Sequence, residues 1–239
     1  MTIDNMYKNN RLTSFLYPKI FAVFAVILLV PLNSVAGTYE FSLYGGMNQP
    51  AHSSVRFSGA SISYGVNDGS YSTDGWKGKS FESPIYYGFR LDYWLDNKPL
   101  GIGIDFNHSK VIPEKLPAGL RRLEFTDGLN TFTLTGLYKL TNKIVFNLQP
   151  YIGLGIGISY PHVEITGTNS SNGRTYEYQL TGIAYQALGG LKFSLNDNWG
   201  GFAEYRLTFT PIEADLKGGG KFESDINNSQ LSLGITYKF

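Results

Sequence analysis

The chain has 239 residues, enough for one large domain, and a formal net charge of +1. That balance leaves no electrostatic footprint for nucleic acid. Cysteine is absent, which excludes a disulfide framework, a zinc–thiolate centre and a cysteine nucleophile, and suits a route through an oxidising compartment.

The chain opens on a targeting pattern. Lys8, Arg11 and Lys19 form a basic region, and Ile20 to Leu32 is apolar. Ser34-Val35-Ala36 then places small residues where a signal peptidase would cut after Ala36. An apolar run of about 13 residues is too short to span a bilayer comfortably. An N-terminal anchor helix is the competing reading. Residues 1–36 are therefore expected to be a signal peptide and 37–239 the working domain. No later segment approaches a transmembrane helix in length, so the mature chain is secreted or a barrel.

The first strand is expected over Thr38–Gly46, where Tyr39, Phe41 and Leu43 alternate with Glu40, Ser42 and Tyr44. A polar stretch over 48–83 follows. The second strand is Ile85–Leu95, with Tyr87, Phe89, Leu91 and Tyr93 on one face. Asp96-Asn97-Lys98-Pro99 makes a tight turn into a third strand over Leu100–Asn107. A loop with two prolines spans 109–122, and a fourth strand runs from Leu123 to Leu140. Thr141-Asn142-Lys143 turns into a fifth over Val145–His162, where Ile152, Leu154, Ile156 and Ile158 alternate with Tyr151, Gly153, Gly155 and Gly157. Glycine on an inward face leaves room for bulky side chains across a narrow lumen. A loop over 166–175 leads to a sixth strand, Tyr176–Phe193. Asn196-Asp197-Asn198 turns into a seventh, Trp199–Phe209, and a Gly-rich loop over 211–225 precedes the last.

That last strand is the clearest. Leu231, Leu233, Ile235, Tyr237 and Phe239 share one face, and Ser232, Gly234, Thr236 and Lys238 the other. It resembles the closing strand that the barrel assembly machinery of bacterial outer membranes reads. The abundance of Tyr (17) and Gly (28) fits a barrel in which only alternate residues meet lipid. The connections alternate long and short, as they do in outer-membrane barrels with long extracellular loops and short periplasmic turns. The expected fold is all-β: an eight-stranded antiparallel up-and-down transmembrane β-barrel in the bacterial outer membrane. Ten strands are possible if 55–80 adds a hairpin. Glu40, Arg90, Asp92, Asp105, Glu204 and Arg206 should point inward. A barrel of this size is just wide enough to be filled by side chains, so a salt-bridged plug is expected. A proton or solute path is the alternative.

Chemistry concentrates at one rim. His52, His108 and His162 each fall at the outer end of an upward strand, with Glu82, Glu124, Asp127 and Glu164 at a similar level. Imidazole and carboxylate can ligate Fe, Cu, Mn or Zn, or transfer protons near neutral pH. Three interfacial residues in an aromatic girdle is the plainer reading. Simple alternation puts His108 and His162 on the lipid side, unless Pro161 or a bulge re-aims them.

Several stretches together resemble the lipid A oxidase family of outer-membrane barrels. They are Tyr44-Gly45-Gly46 with Ala51-His52-Ser53; Gly75-Trp76-Lys77-Gly78-Lys79-Ser80-Phe81-Glu82 with Pro84-Ile85-Tyr86-Tyr87-Gly88; and Leu123-Glu124-Phe125-Thr126-Asp127-Gly128-Leu129-Asn130. Pro150-Tyr151-Ile152-Gly153 and Pro161-His162-Val163-Glu164 complete the set. The resemblance implies oxidation of the proximal glucosamine of lipid A, with molecular oxygen as co-substrate and peroxide released. With no dinucleotide motif present, it implies a divalent redox metal. His52, His108, His162 and Glu164 would be its ligands, and His52, Glu82, Glu124 and Asp127 the acid–base groups. Lys77, Lys79, Arg121 and Arg122 would hold lipid A phosphates. Two other functions compete: a non-enzymatic barrel that is structural, adhesive or surface-binding, and a lipid A deacylase built on His52-Ser53-Ser54 or His108-Ser109.

Overall fold

The computed structural model describes residues 36–140, 147–169 and 173–239. The segment expected as a signal peptide, apart from Ala36, and the expected turn at 141–143 lie outside the described residues.

Eight strands close a ring. In chain order they are β1 (Gly37–Pro50), β5 (Tyr87–Leu95), β6 (Leu100–Pro113), β7 (Leu120–Lys139), β8 (Leu148–Ser159), β11 (Gly182–Ser194), β12 (Trp199–Asp215) and β13 (Lys221–Lys238). Each pairs antiparallel with the next, and β13 returns to β1 through Phe41↔Tyr237, Leu43↔Ile235 and Gly45↔Leu233. The remaining elements decorate the long-loop end: β2 (Ser54–Ser58), helix α1 (Ser61–Tyr64), β3 (Gly69–Ser72), β4 (Trp76–Lys77), β9 (His162–Gly167) and β10 (Arg174–Tyr178).

The hairpin at 55–80 forms as β2–β3, but it does not add a ninth and tenth wall strand. β2 pairs with the upper part of β13, through Phe57↔Phe222 and Val55↔Ser224. The stretches 109–122 and 211–225, expected as loops, are mostly strand. β6 runs on to Pro113, paired with β7 as far as Val111 and with β4 at Ile112 and Pro113, and β12 runs to Asp215 against β13. Polar composition misled there, because these segments stand in water and need no lipid-facing apolar row. The fifth and sixth expected strands each break in two, at Tyr160-Pro161 and at Gln179–Thr181, because the upper halves leave the ring to form the β9–β10 hairpin. Proline removes a ladder donor at the first break.

The wall alternates as the sequence requires. Leu154, Leu231, Leu233 and Ile235 are exposed on the outer face. At the turn end the rings of Tyr39, Tyr93, Trp199, Tyr237 and Phe239 make an aromatic belt, with Tyr39 stacked on Phe239 at 5.9 Å. Toward the other end the rings of Tyr160 and Tyr178 at 5.7 Å, and of Tyr185 and Phe209 at 6.2 Å, make a second belt, while Phe89, Phe106 and Phe132 pack across three strands between the two. Such girdles mark the two membrane interfaces.

The interior is filled in layers. Nearest the short turns, the Lys192 ammonium donates to Glu40 at 2.5 Å and Asp92 at 3.1 Å, above an open vestibule of about 790 Å³. Next, Arg90 meets Glu204 at 2.7 Å and Asp92 at 3.2 Å. Arg206 meets Asp105 and Glu204, both at 2.8 Å. The hydroxyls of Tyr44 and Tyr151 donate to Asp105 and Glu204, each at 2.6 Å. All six inward charges expected from the sequence lie buried here. Gly88 permits this packing: a Cβ there would sit 2.2 Å from the Tyr44 hydroxyl. A neutral layer of Asn107, Tyr86, Gln230 and Ser232 follows.

Above it the lumen turns apolar. Val55, Phe57, Tyr64, Trp76, Leu123, Phe125, Val163, Ile165, Phe222 and Ile226 belong to one buried cluster, fed by the first long connection and the strand extensions. Phe57 lies 5.3 Å from Phe222, and Phe125 lies 6.2 Å from both Trp76 and Phe222. This cap is a water-driven hydrophobic core set on top of a membrane barrel.

Candidate functional site at the outer rim

The rim residues gather mainly on the outer face of β6, β7, β9 and β10. Val163 and Ile165 point into the cap, so His162 and Glu164 between them face outward. β8 has twelve residues. A tilted membrane strand needs about 9–11, so His162, just past its end, stands where hydrocarbon gives way to headgroups. Asp127 arrives at the same place from β7, where the β6–β7 register shifts between Ser109↔Leu129 and Val111↔Phe125.

His162 Nδ1 lies 3.0 Å from Glu164 Oε1 and 3.4 Å from Asp127 Oδ2. The ligand atoms of these three residues all fall within 4.8 Å of one another. Thr126 Oγ1 donates to Glu164 Oε1 at 2.5 Å, and Arg122 Nη2 reaches Glu164 Oε2 at 2.6 Å. Arg122 also pairs with Glu124. The rings of Tyr176 and Tyr178 wall the imidazole at 4.4 and 4.6 Å. The Tyr178 phenol donates to the Asp127 carbonyl at 3.4 Å, and partial burial with the nearby Asp127 charge pushes its pKa up.

His108 lies beside this group and is joined to it by Asn130. Its Nδ1 is 2.9 Å from Asn130 Oδ1, and Asn130 Nδ2 donates to the carbonyls of Asp127 and Tyr160 at 3.4 Å. Tyr87 stacks on the His108 ring at 4.8 Å, and Nε2 is buried without a hydrogen-bond partner. Both histidines keep the outward face that alternation gives them. They are buried because Tyr87, Tyr176 and Tyr178 cover them. The tyrosines and Asn130 were missing from the sequence-derived site; the signal was there in the Tyr-rich β10, Arg174-Thr175-Tyr176-Glu177-Tyr178.

The other candidates stand elsewhere. His52 is exposed in the first long connection, with its ring against Gly75 and near Glu114. Glu82 pairs with Lys79 at 3.0 Å, and Lys77 lies 3.9 Å from Glu114. Arg121 Nε donates to the Gly167 carbonyl at 2.9 Å. Ser53 Oγ accepts from Trp76 Nε1 at 2.8 Å, and Ser109 Oγ accepts from Asn228 Nδ2 at 3.2 Å in the lumen. Neither His–Ser pair thus points its two side chains at a common spot. One imidazole and two carboxylates, at Asp127, His162 and Glu164, do suit the divalent metal that the resemblance implies.

Comparison with known proteins fits this architecture. The model for the outer membrane protein beta-barrel domain matches residues 32–239. No curated protein sequence is significantly similar. Among solved structures, Neisserial surface protein A is 16% identical with a TM-score of 0.45, covering 85% of this chain and 100% of its own. OprG from Pseudomonas aeruginosa is 14% identical with a TM-score of 0.48, covering 86% and 97%. AlkL is 18% identical with a TM-score of 0.48, covering 86% and 91%. With its eight-stranded ring, two aromatic belts and lumen filled by buried charges, the chain belongs to the outer membrane protein beta-barrel family and is a bacterial outer-membrane barrel.

Proposed function

We propose that the protein is a non-conducting outer-membrane barrel that works through the surface it raises above the outer leaflet, as a structural or surface-binding barrel. The observation that supports this reading is the double closure of the lumen. Buried ion pairs among Arg90, Asp92, Asp105, Glu204 and Arg206 fill the middle, and the apolar cap of Phe57, Trp76, Phe125 and Phe222 covers the top. Neither a hydrated ion nor a solute has a polar path through such a cap. Purified protein in planar bilayers should give no discrete current steps. Stable pores of uniform conductance would sink the proposal.

A second reading is lipid A modification, favoured by the Asp127–His162–Glu164 group at headgroup height. As an oxidase, the barrel would pass the C1 hydrogen and the anomeric hydroxyl hydrogen of a proximal glucosamine free of phosphate at C1 to O₂ as peroxide, leaving a lactone. Water would then open the lactone, for a net gain of one oxygen. Expression in a host whose otherwise unmodified lipid A has a free anomeric hydroxyl, followed by mass spectrometry of that lipid, tests this. One added oxygen supports the oxidase, and loss of an acyl chain points to a deacylase. No mass change in aerated culture, with the barrel inserted, removes both.

A further inference from the structure

Three acceptor groups converge on one point of the outer wall. A neutral imidazole with its Nδ1 lone pair toward Glu164 Oε1 and Asp127 Oδ2, at 3.0 and 3.4 Å, would be repelled by both. The Nδ1–H tautomer removes that repulsion by donating to them, and a cation bound among the three groups would remove it as well.

The spacing fits a cation. Ions that bind N and O ligands at about 2.0–2.2 Å hold neighbouring ligand atoms roughly 3.0–3.5 Å apart in octahedral or tetrahedral spheres. The two separations from His162 fall in that range, and all three ligand atoms lie within 4.8 Å of one another, so the Asp127 carboxylate closes on the ion by a side-chain turn. The charge also fits. The contact network holds three carboxylates, on Glu124, Asp127 and Glu164, against the one guanidinium of Arg122. The surroundings hold the donors in place. Glu164 and His162 are 1% and 4% exposed. Thr126 and Arg122 orient the Glu164 carboxylate, as partners beyond the ligands do in metal sites. Asp127, with 43% of its side chain exposed, leaves an opening to the outside. Among the described residues, no other three His, Cys, Asp or Glu side chains come together in this way.

We propose that Asp127, His162 and Glu164 form a divalent-cation site on the outer wall of the barrel, at the height of the outer-leaflet headgroups. One nitrogen and two carboxylate ligands select borderline ions such as Mn²⁺, Fe²⁺ or Zn²⁺ over Mg²⁺. Positions on the Asp127 side stay open to water. Binding does not depend on whether any lipid is modified, so the site can be present in a barrel with no enzymatic activity.

The test uses the full barrel, purified in detergent, stripped with chelator and titrated with Mn²⁺. Free and bound ion are distinguished by electron paramagnetic resonance, and Zn²⁺ competes. The expected result is one saturable site per chain. His162→Gln and Asp127→Asn should each weaken it at least tenfold, while His52→Gln should leave it unchanged. Each variant is checked for the heat-dependent gel shift of a folded barrel. Absence of saturable binding in the parent protein overturns the site, leaving a hydrogen bond between His162 Nδ1 and Glu164 Oε1. Equal affinity in folded His162→Gln overturns it as well.

Discussion

Replacing Arg206 with alanine should destabilise the barrel by about 3–5 kcal/mol, the range for removing one partner of a buried ion pair. Arg206 is fully buried, and its guanidinium serves Asp105, Glu204 and the Tyr44 hydroxyl at once. Without it, Asp105 keeps the Tyr44 donor and a more distant Arg90 at 3.7 Å. Glu204 keeps Arg90 at 2.7 Å, so Asp105 carries most of the loss. Arg206→Lys should recover only part of it, because one ammonium nitrogen cannot replace the two guanidinium nitrogens that hold both Asp105 oxygens while also reaching Glu204 and Tyr44. Adding Asp105→Ala to Arg206→Ala should recover more than either single change suggests, since it removes the orphaned charge. Urea unfolding in lipid vesicles reads the parent and all of these variants, Asp105→Ala alone included. A loss below about 1 kcal/mol for Arg206→Ala would show that water reaches the layer, which contradicts a sealed lumen.

A second large effect is expected on the other face of the wall. Leu233 is 67% exposed and sits in register with Gly45 and Ala203, between Leu231 and Ile235. Leu233→Arg should cost about 2–4 kcal/mol, as charges do near the bilayer midplane. Tyr237→Arg, in the lower aromatic belt, should cost about 0–1 kcal/mol, because an arginine there reaches headgroups. The same unfolding assay compares them. Equal costs at the two positions would mean that the lipid boundary is misplaced.

The wall was readable in the sequence because lipid and lumen impose opposite chemistry on alternate residues. The row from Leu231 to Phe239 and the inward set from Glu40 to Arg206 follow from period two alone. What lies above the membrane was not readable in the same way. There the strands of β12 and β13 carry Ser, Asn, Glu and Lys outward, and their composition is that of a loop. The apolar residues Val55, Phe57 and Trp76 looked isolated in a polar stretch, since their partners Phe125 and Phe222 are far along the chain. The rim site was half readable. Alternation placed His162 and Glu164 on one face, and β9 keeps them there. That Asp127 would join them depends on a register shift in β7, which spacing does not reveal. Nor does spacing show that His52 belongs to a different part of the first connection.

The apolar cap also ties distant parts of the chain together. Phe57 and Trp76 come from the first connection, Phe125 from β7 and Phe222 from β13, so the cap draws on both ends of the barrel sequence. It acts as a latch, because drawing any one of these segments away would require its cap residues to leave a dry core first.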